Sequence, residues 1–406
     1  MNVAIIGGGI CGLSLALNLK QRGISCEVYE RAPEVLELGV GITLLPHAMR
    51  EFTALGVDKE LTAVGIENVE SCFFNRFGQL IYKEERGKLA GYEYPEIGIH
   101  RGKLHRILYE AACERAGREH IHTDHFCTGV TQDENGVTAS FTTNSGSTLP
   151  SARADIAIAC DGINSVVRRQ FYPDERVAFA GINTWRGVTR RKPILTGKSY
   201  MRVGSILTGK MVIYPIVDNI DGQGNQLINW MAEIKRDTYE KNDWNQPGDL
   251  ADFFPIYESW RFPWLDVADM IRNADQILEY PMVDKDPVAR WTFGRVTFAG
   301  DAAHPMYPRG SNGAAQASID ARTLADLLVQ RGDPRDALTA YDAARREVTA
   351  KVVRTNREQP PDFINIKVEE LVGDRPFDNL DDYITQDELR ALSENYKRVA
   401  GFTVTA

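Results

Sequence analysis

Val3-Ala4-Ile5-Ile6-Gly7-Gly8-Gly9-Ile10-Cys11-Gly12-Leu13-Ser14-Leu15-Ala16-Leu17 joins an apolar run of strand character to three spaced glycines and then to an apolar, helix-forming run. This order predicts strand, tight turn and helix. Gly7 suits a turn that a Cβ would hinder, Gly9 lets backbone approach a diphosphate, and Gly12 lets the helix pack closely on the strand. A diphosphate would then sit at the helix N-terminus, where unpaired N–H groups and the helix dipole stabilise anions without a lysine. A second apolar run, Cys26-Glu27-Val28-Tyr29, follows Gly23 and ends at Glu30, where a parallel second strand would present an acid to an adenosine ribose. Taken together, the strand, the helix, the second strand and the terminal acid predict dinucleotide binding.

The remaining bulk properties set limits on this reading. The 406 residues exceed the ~250–300 at which a single core stops growing, so two domains or one domain with a large insertion are expected. A net charge of −9 argues against nucleic acid or an anionic membrane as partner. No window approaches ~20 uninterrupted apolar residues, and no basic segment precedes the first strand, so a cytoplasmic location is expected. The six cysteines include no CxxC pair and read as reduced core residues. His120-Ile121-His122-Thr123-Asp124-His125 has no further ligand at a usual spacing, and no metal site is expected there or elsewhere.

Further along, Pro46–Gly56 reads as a helix closed by glycine, and residues 73–82 as a hairpin around Asn75-Arg76-Phe77-Gly78. Arg101 opens a helix with Leu104, Ile107, Leu108 and Ala111 at helical spacing. Asp155–Cys160 is apolar enough for a central parallel strand and runs into Asp161-Gly162-Ile163-Asn164-Ser165. Five of the six tryptophans fall between Trp185 and Trp264, Trp244 among them, which suits a sheet whose aromatic faces line a pocket or fill a core. Arg295–Ala299 then leads into Gly300-Asp301-Ala302-Ala303-His304-Pro305-Met306-Tyr307-Pro308-Arg309-Gly310-Ser311-Asn312-Gly313, and a long helix follows, with a second through Ala337 to about Arg357 and a last one at Thr385–Val399.

Three motifs, Gly7-x-Gly9-x-x-Gly12, Asp161-Gly162 and Gly300-Asp301, occur in an order and at separations that resemble the FAD-dependent aromatic hydroxylases of the para-hydroxybenzoate hydroxylase type. The wording of Leu38-Gly39-Val40-Gly41-Ile42, Trp185-Arg186-Gly187-Val188, Tyr280-Pro281-Met282-Val283-Asp284 and the Gly300 loop is most similar to the phenazine-tailoring monooxygenases, and also resembles the hydroxybenzoate and hydroxynicotinate hydroxylases. The resemblance implies an α/β fold: a discontinuous Rossmann-like FAD-binding domain (1–70, 98–180 and 281–360), an inserted sheet-based substrate domain (71–97 and 181–280) and a C-terminal helical segment (361–406). It further implies non-covalent FAD, with Gly7, Gly9, Gly12 and Glu30 on the ADP half, Arg101 as a further contact and Asp301 on the ribityl and diphosphate portion. Pro308, Gly310, Asn312 and Gly313 would face the flavin pyrimidine. Asp161 and Arg168 would serve flavin and nicotinamide function.

What such a protein would do is hydroxylate an aromatic or heteroaromatic substrate, possibly with decarboxylation, using NADH or NADPH and O2 through a flavin hydroperoxide. By position beside the flavin loops, Tyr214, Tyr307, His47 and Arg309 are candidate pocket residues, each with a structural alternative as core or solvated side chain. A substrate carboxylate would pair with an arginine such as Arg309 or Arg186. A monomer or homodimer is expected. Two other readings stay open: a flavoprotein oxidase or dehydrogenase of the same fold without oxygen transfer, and a catalytically silent binding protein.

Overall fold

The computed structural model describes residues 1–35, 39–239 and 246–400, so Leu38 and Trp244 lie outside the described residues. Its first sheet is all parallel, in the spatial order Val296–Phe298, Ile156–Ala159, Asn2–Ile6, Ser25–Tyr29 and Ile121–His122. Ile5 stands between Ile158 and Val28, which places the glycine turn at the carboxyl ends of the central strands. Ligands of open parallel sheets bind at that end. Helices Ile10–Gln21, Arg101–Ala116 and Gly313–Gln330 cover the sheet, their Leu, Ile and Ala side chains sharing one core with the strand residues. Three antiparallel strands, Phe126–Asp133, Gly136–Thr142 and Thr148–Ala154, fill the chain between the Arg101 helix and the Asp161-Gly162 turn.

The second large sheet has eight strands. In spatial order they are Gln246–Pro247, Ala274–Asp284, Ala178–Arg191, Gln226–Lys235, Gly209–Val217, Ser199–Ser205, Glu70–Phe74 and Leu80–Glu85. Alternation divides its residues between two faces. One face carries Trp185, Met201, Ile213 and Trp230, packed under helices Leu250–Tyr257 and Val267–Arg272 together with Phe253, Tyr257 and Trp260. Trp185 stacks on Phe253 at 5.1 Å, and Trp260 meets Tyr257 edge-on. Of the two sequence expectations for the tryptophans, Trp185, Trp230 and Trp260 meet the second: they fill a core. Replacing any of them by alanine should cost about 3–5 kcal/mol.

The opposite face carries Phe73, Tyr200, Arg202, Val212, Tyr214 and Asn229, and it looks toward the glycine-rich loops of the first sheet and toward the C-terminal helices Phe363–Val372 and Gln386–Ala400. The first of those helices was not expected from the sequence; charged and polar residues interrupt its apolar pattern. Ile364, Val368 and Val372 nevertheless reach one face and bury against Phe73, Ile81 and Tyr82. Gly41–Leu44 bridges the two sheets: its Gly41 N–H donates to Asn229 Oδ1 at 2.7 Å. Among the described residues no helix is long and apolar enough to cross a membrane.

Candidate active site

The first glycines divide by what surrounds them. Gly7 has φ +105°, and a Cβ there would stand 2.4 Å from the Cys160 carbonyl oxygen. A Cβ on Gly12 would stand 1.9 Å from the Gly7 oxygen. Both are excluded by the protein itself. A Cβ on Gly9 meets nothing within 4 Å, nor does one on Gly313. These two positions border open space at helix N-termini, the first turns of Ile10–Gln21 and Gly313–Gln330, where backbone N–H groups are available to an anion.

Glu30 lies beside the first cradle and receives the Gly8 and Ala32 N–H groups, each at 2.7 Å. Each bond occupies one lone pair of a different oxygen, so both oxygens keep capacity for ribose hydroxyls. His105 holds the same turn from the far side, its Nε2 on the Gly8 oxygen at 2.6 Å. Nothing in the sequence singles out His105, since its bond is to backbone 97 positions away.

Asp161 and Asp301 converge on this region from different strands. Asp161 Oδ2 accepts from Val166 N–H at 2.8 Å, while its Oδ1 is buried without a partner among the described residues. Burial pushes this carboxyl above its ordinary value, and bonds to the Ser165–Val167 turn pull it back in part. Asp301 is exposed and lies within electrostatic reach of Arg101 and His304.

Arg168 is held by the protein's own groups. Its side chain is fully buried, donates to the Ala302 and Ala303 carbonyls at 2.9 and 2.7 Å, and pairs with Glu175. It ties the Asp161-Gly162 turn to the Gly300-Asp301 turn. Gly300 N–H in turn donates to Asp320, whose other partners are His304 at 2.5 Å and Arg345 at 2.7 Å. Burial alone would raise the Asp320 carboxyl, but His304 and Arg345 outweigh it and hold it at about 2.

The loop 308–313 is held by a chain of hydrogen bonds whose direction is fixed. Asn356 Nδ2 donates to the Tyr307 carbonyl at 3.1 Å, so its Oδ1 accepts from Tyr396 OH at 2.9 Å. The Tyr396 oxygen then accepts from Asn312 Nδ2 at 2.8 Å, and Asn312 Oδ1 accepts from His47 Nε2 at 3.1 Å. The imidazole therefore carries its proton on Nε2. Burial holds His47 neutral, its basicity pushed down to about 4. Asn356 and Tyr396 were missed in the sequence; their role depends on helix packing that no local pattern announces.

The other pocket candidates lie in distinct settings. Tyr214 is on the open face of the second sheet, stacked on Tyr200 at 5.0 Å, and burial raises its phenol. Arg186 donates to the Gly41 carbonyl at 3.1 Å. Tyr307 is buried with Ile182, Ile206 and Met282, its hydroxyl on the Ala178 carbonyl at 3.3 Å and its phenol pushed up to about 12 by burial. Arg309 is engaged by Asp362 at 2.7 Å. Between the sheet and the loop lies a cavity lined by Phe73, Arg86, Arg202, Gly310, Ser311 and Tyr396, among others. Arg202 was not singled out in the sequence, where one arginine of a strand resembles any other.

A flavin dinucleotide fits these residues: two open helix N-termini, an acid at the second strand and a buried carboxylate oxygen without a partner among the described residues. The FAD binding domain model matches residues 1–233 and 273–356. The chain is 38% identical over 370 residues to the phenazine 1,6-dicarboxylic acid hydroxylase PhzS of Lysobacter antibioticus, covering 88% of this chain and 89% of that protein. It is 32% identical to the 3-amino-4-hydroxybenzoate 2-monooxygenase PtmB3 of Streptomyces platensis, covering 89% and 88%. The fold is similar to that of Klebsiella pneumoniae HpxO complexed with FAD and uric acid, with a TM-score of 0.77 at 22% identity over 99% of this chain and 95% of that one. With the family model spanning most of its length and full-length relatives of this similarity, the chain belongs to the FAD-dependent aromatic hydroxylases, monooxygenases that use FAD with NAD(P)H as co-substrate.

Proposed function

We infer that the protein hydroxylates a planar aromatic or heteroaromatic carboxylate, of the phenazine or hydroxybenzoate kind on which its relatives act by name. The observation that carries this reading is Arg202. It is 4% exposed, and its guanidinium lies over the rings of Phe73 at 4.9 Å and Tyr200 at 4.5 Å. Its only hydrogen bond among the described residues is from Nη1 to Ser71 Oγ, and no carboxylate pairs with it. Neighbouring Arg86 and Lys397 are paired with Glu96 and Glu84. A buried cation without a counter-ion is expensive unless an anion arrives to satisfy it. An aromatic carboxylate supplies that anion as a bidentate partner and places its ring beside the aromatic face.

The chemistry supplied by bound FAD is activation of O2 after reduction by NAD(P)H, one oxygen atom going to the ring and the other to water. The chain's own residues bind, orient and exclude water. Tyr200 and Tyr214 wall the site with stacked rings, and the loop 308–313 offers the N-terminus of its following helix to negative charge on the flavin. If the carboxylate is itself replaced, the ring gains the hydroxyl as carbon dioxide leaves.

The test is a screen of phenazine, hydroxybenzoate, aminobenzoate and hydroxypyridine carboxylates under heavy-oxygen gas, recording NAD(P)H consumption, peroxide and labelled product. A labelled hydroxylated product with little peroxide supports the reading. Arg202→Met should then raise KM for the carboxylate at least tenfold, with Arg202→Lys intermediate, because a point charge replaces a planar fork. Stoichiometric peroxide with every ligand that stimulates turnover would show an oxidase instead.

A further inference from the structure

A four-charge cluster lies between the open face of the second sheet and the loop 308–313. Asp362, 1% exposed, immediately precedes the helix Phe363–Val372, and its side chain makes no capping bond to it. A single oxygen of it, Oδ2, holds two cations: Arg309 Nη2 at 2.7 Å and Lys210 Nζ at 3.1 Å. Lys210 reaches across to Glu233 Oε2 at 2.8 Å, and Tyr257 OH pins the strands carrying Lys210 and Glu233 through both backbone carbonyls at 3.0 Å. Lys210 and Glu233 are 2% and 3% exposed. Two cations and two anions thus join three elements: the loop through Arg309, the C-terminal helix through Asp362 and the sheet through Lys210 and Glu233.

The balance is electrically neutral and sterically committed. Removing one buried partner leaves an uncompensated charge with little solvent to screen it. Arg309 is the only member carried by the loop, and its neighbours Pro308 and Gly310 are the residues expected to face the flavin. A change in this cluster would therefore be felt by a flavin ring lying against the loop, since the reduced ring carries more negative charge than the oxidised one.

We propose that Asp362 is a positioning residue for the cofactor: it fixes Arg309 and the loop Pro308–Gly310 against the substrate sheet, and its charge sets the electrostatic balance under which the flavin is reduced. The C-terminal segment is by this account part of the redox machinery. The inference rests on the flavin lying beside the loop 308–313, and it needs no knowledge of the substrate.

The experiment measures the midpoint potential of the holoenzyme against a reference dye, without substrate. Asp362→Asn adds one net positive charge and should raise the potential; Arg309→Met removes one and should lower it. A tenfold change in the oxidised-to-reduced equilibrium, about 30 mV for a two-electron couple, is the expected size of each. The double variant Arg309→Met/Asp362→Asn restores neutrality and should return to the wild-type potential. Unchanged potentials, or shifts of one sign in all three variants, overturn the proposal. Gly313→Ala separates this from the loop reading: if it weakens FAD while the potentials stay fixed, the loop faces the flavin and the charge argument falls; if it does not, the loop placement falls and the proposal with it. Should Asp362→Asn fail to fold, Arg309→Met and the double variant decide by the same criterion.

Discussion

The hydroxyl of Tyr396 occupies the place of a side chain on Gly310: a Cβ built there would stand 1.4 Å from the Tyr396 oxygen. A helix from the end of the chain thus rests directly on the loop that precedes the Gly313 helix. Gly310→Ala must push Tyr396 away and break its bonds to Asn312 and Asn356. Overpacking of this kind costs about 1–3 kcal/mol, so the expected result is a lower Tm and weaker FAD retention. Tyr396→Ala in the Gly310→Ala background removes the clash and should recover part of the Tm loss; no recovery would place the strain elsewhere.

Gly9 and Gly12 differ in the opposite sense. Gly9→Ala places its Cβ in open space in the protein, so the FAD-free chain should keep its stability to within ~1 kcal/mol. FAD affinity should fall if the diphosphate binds at this helix N-terminus, because the Cβ would then crowd it. Gly12→Ala brings a Cβ to 1.9 Å from a backbone oxygen and should prevent folding of the first sheet. Calorimetry of both variants with and without FAD separates the effects. Equal loss of stability in both would mean that Gly9 too is a packing glycine.

These contrasts show what the sequence could reveal. The glycine turn, Glu30 and the central strands are legible because each is a local pattern: a strand period, a turn residue, a helix start. Asp161 and Asp301 are legible only through resemblance to a family. Arg202, Asp362, Tyr396 and Asn356 are not legible at all, because each acts on a partner brought close by tertiary packing, 131 positions away for Arg202 and Ser71. Arg309 shows the limit of such reading. An arginine beside a flavin loop reads equally well as a substrate anchor or a tether, and its bond to Asp362, 53 residues on, is a contact that no local pattern announces.

Arg168 joins the two aspartate turns through backbone carbonyls, and its removal should be felt at both. Arg168→Leu leaves the carbonyls of Ala302 and Ala303 without a donor and Glu175 with Lys285, at 3.1 Å, as its remaining cation. Two buried carbonyls without a donor cost about 1–3 kcal/mol each. FAD affinity should fall with stability, since Asp301 immediately precedes Ala302. Arg168→Lys should recover stability only in part, as one ammonium cannot span the carboxylate and both carbonyls. Unaltered FAD binding in a folded Arg168→Leu variant would show that the turn holds its shape without the guanidinium.

His47 gives the protein an acid-sensitive step. Its side chain is 7% exposed and its basicity falls from 6.5 in a model peptide to about 4, because burial disfavours the imidazolium and the Arg50 and Arg345 charges add to that. The bond to Asn312 opposes the shift without overcoming it. The unfolded chain therefore binds a proton between pH 6.5 and 4 that the folded chain does not. The sign follows: this contribution is fully present above pH 6.5 and is lost as the pH falls toward 4, amounting to roughly 3 kcal/mol across the window. His47→Gln retains an amide N–H for Asn312 and has no charge to acquire. Urea denaturation of both holoenzymes at pH 7, 5.5 and 4, at one fixed excess of FAD, should show the wild type losing roughly 3 kcal/mol more than the variant. Parallel loss in the two proteins would assign the acid sensitivity to other groups and leave His47 as a neutral packing residue beneath the loop.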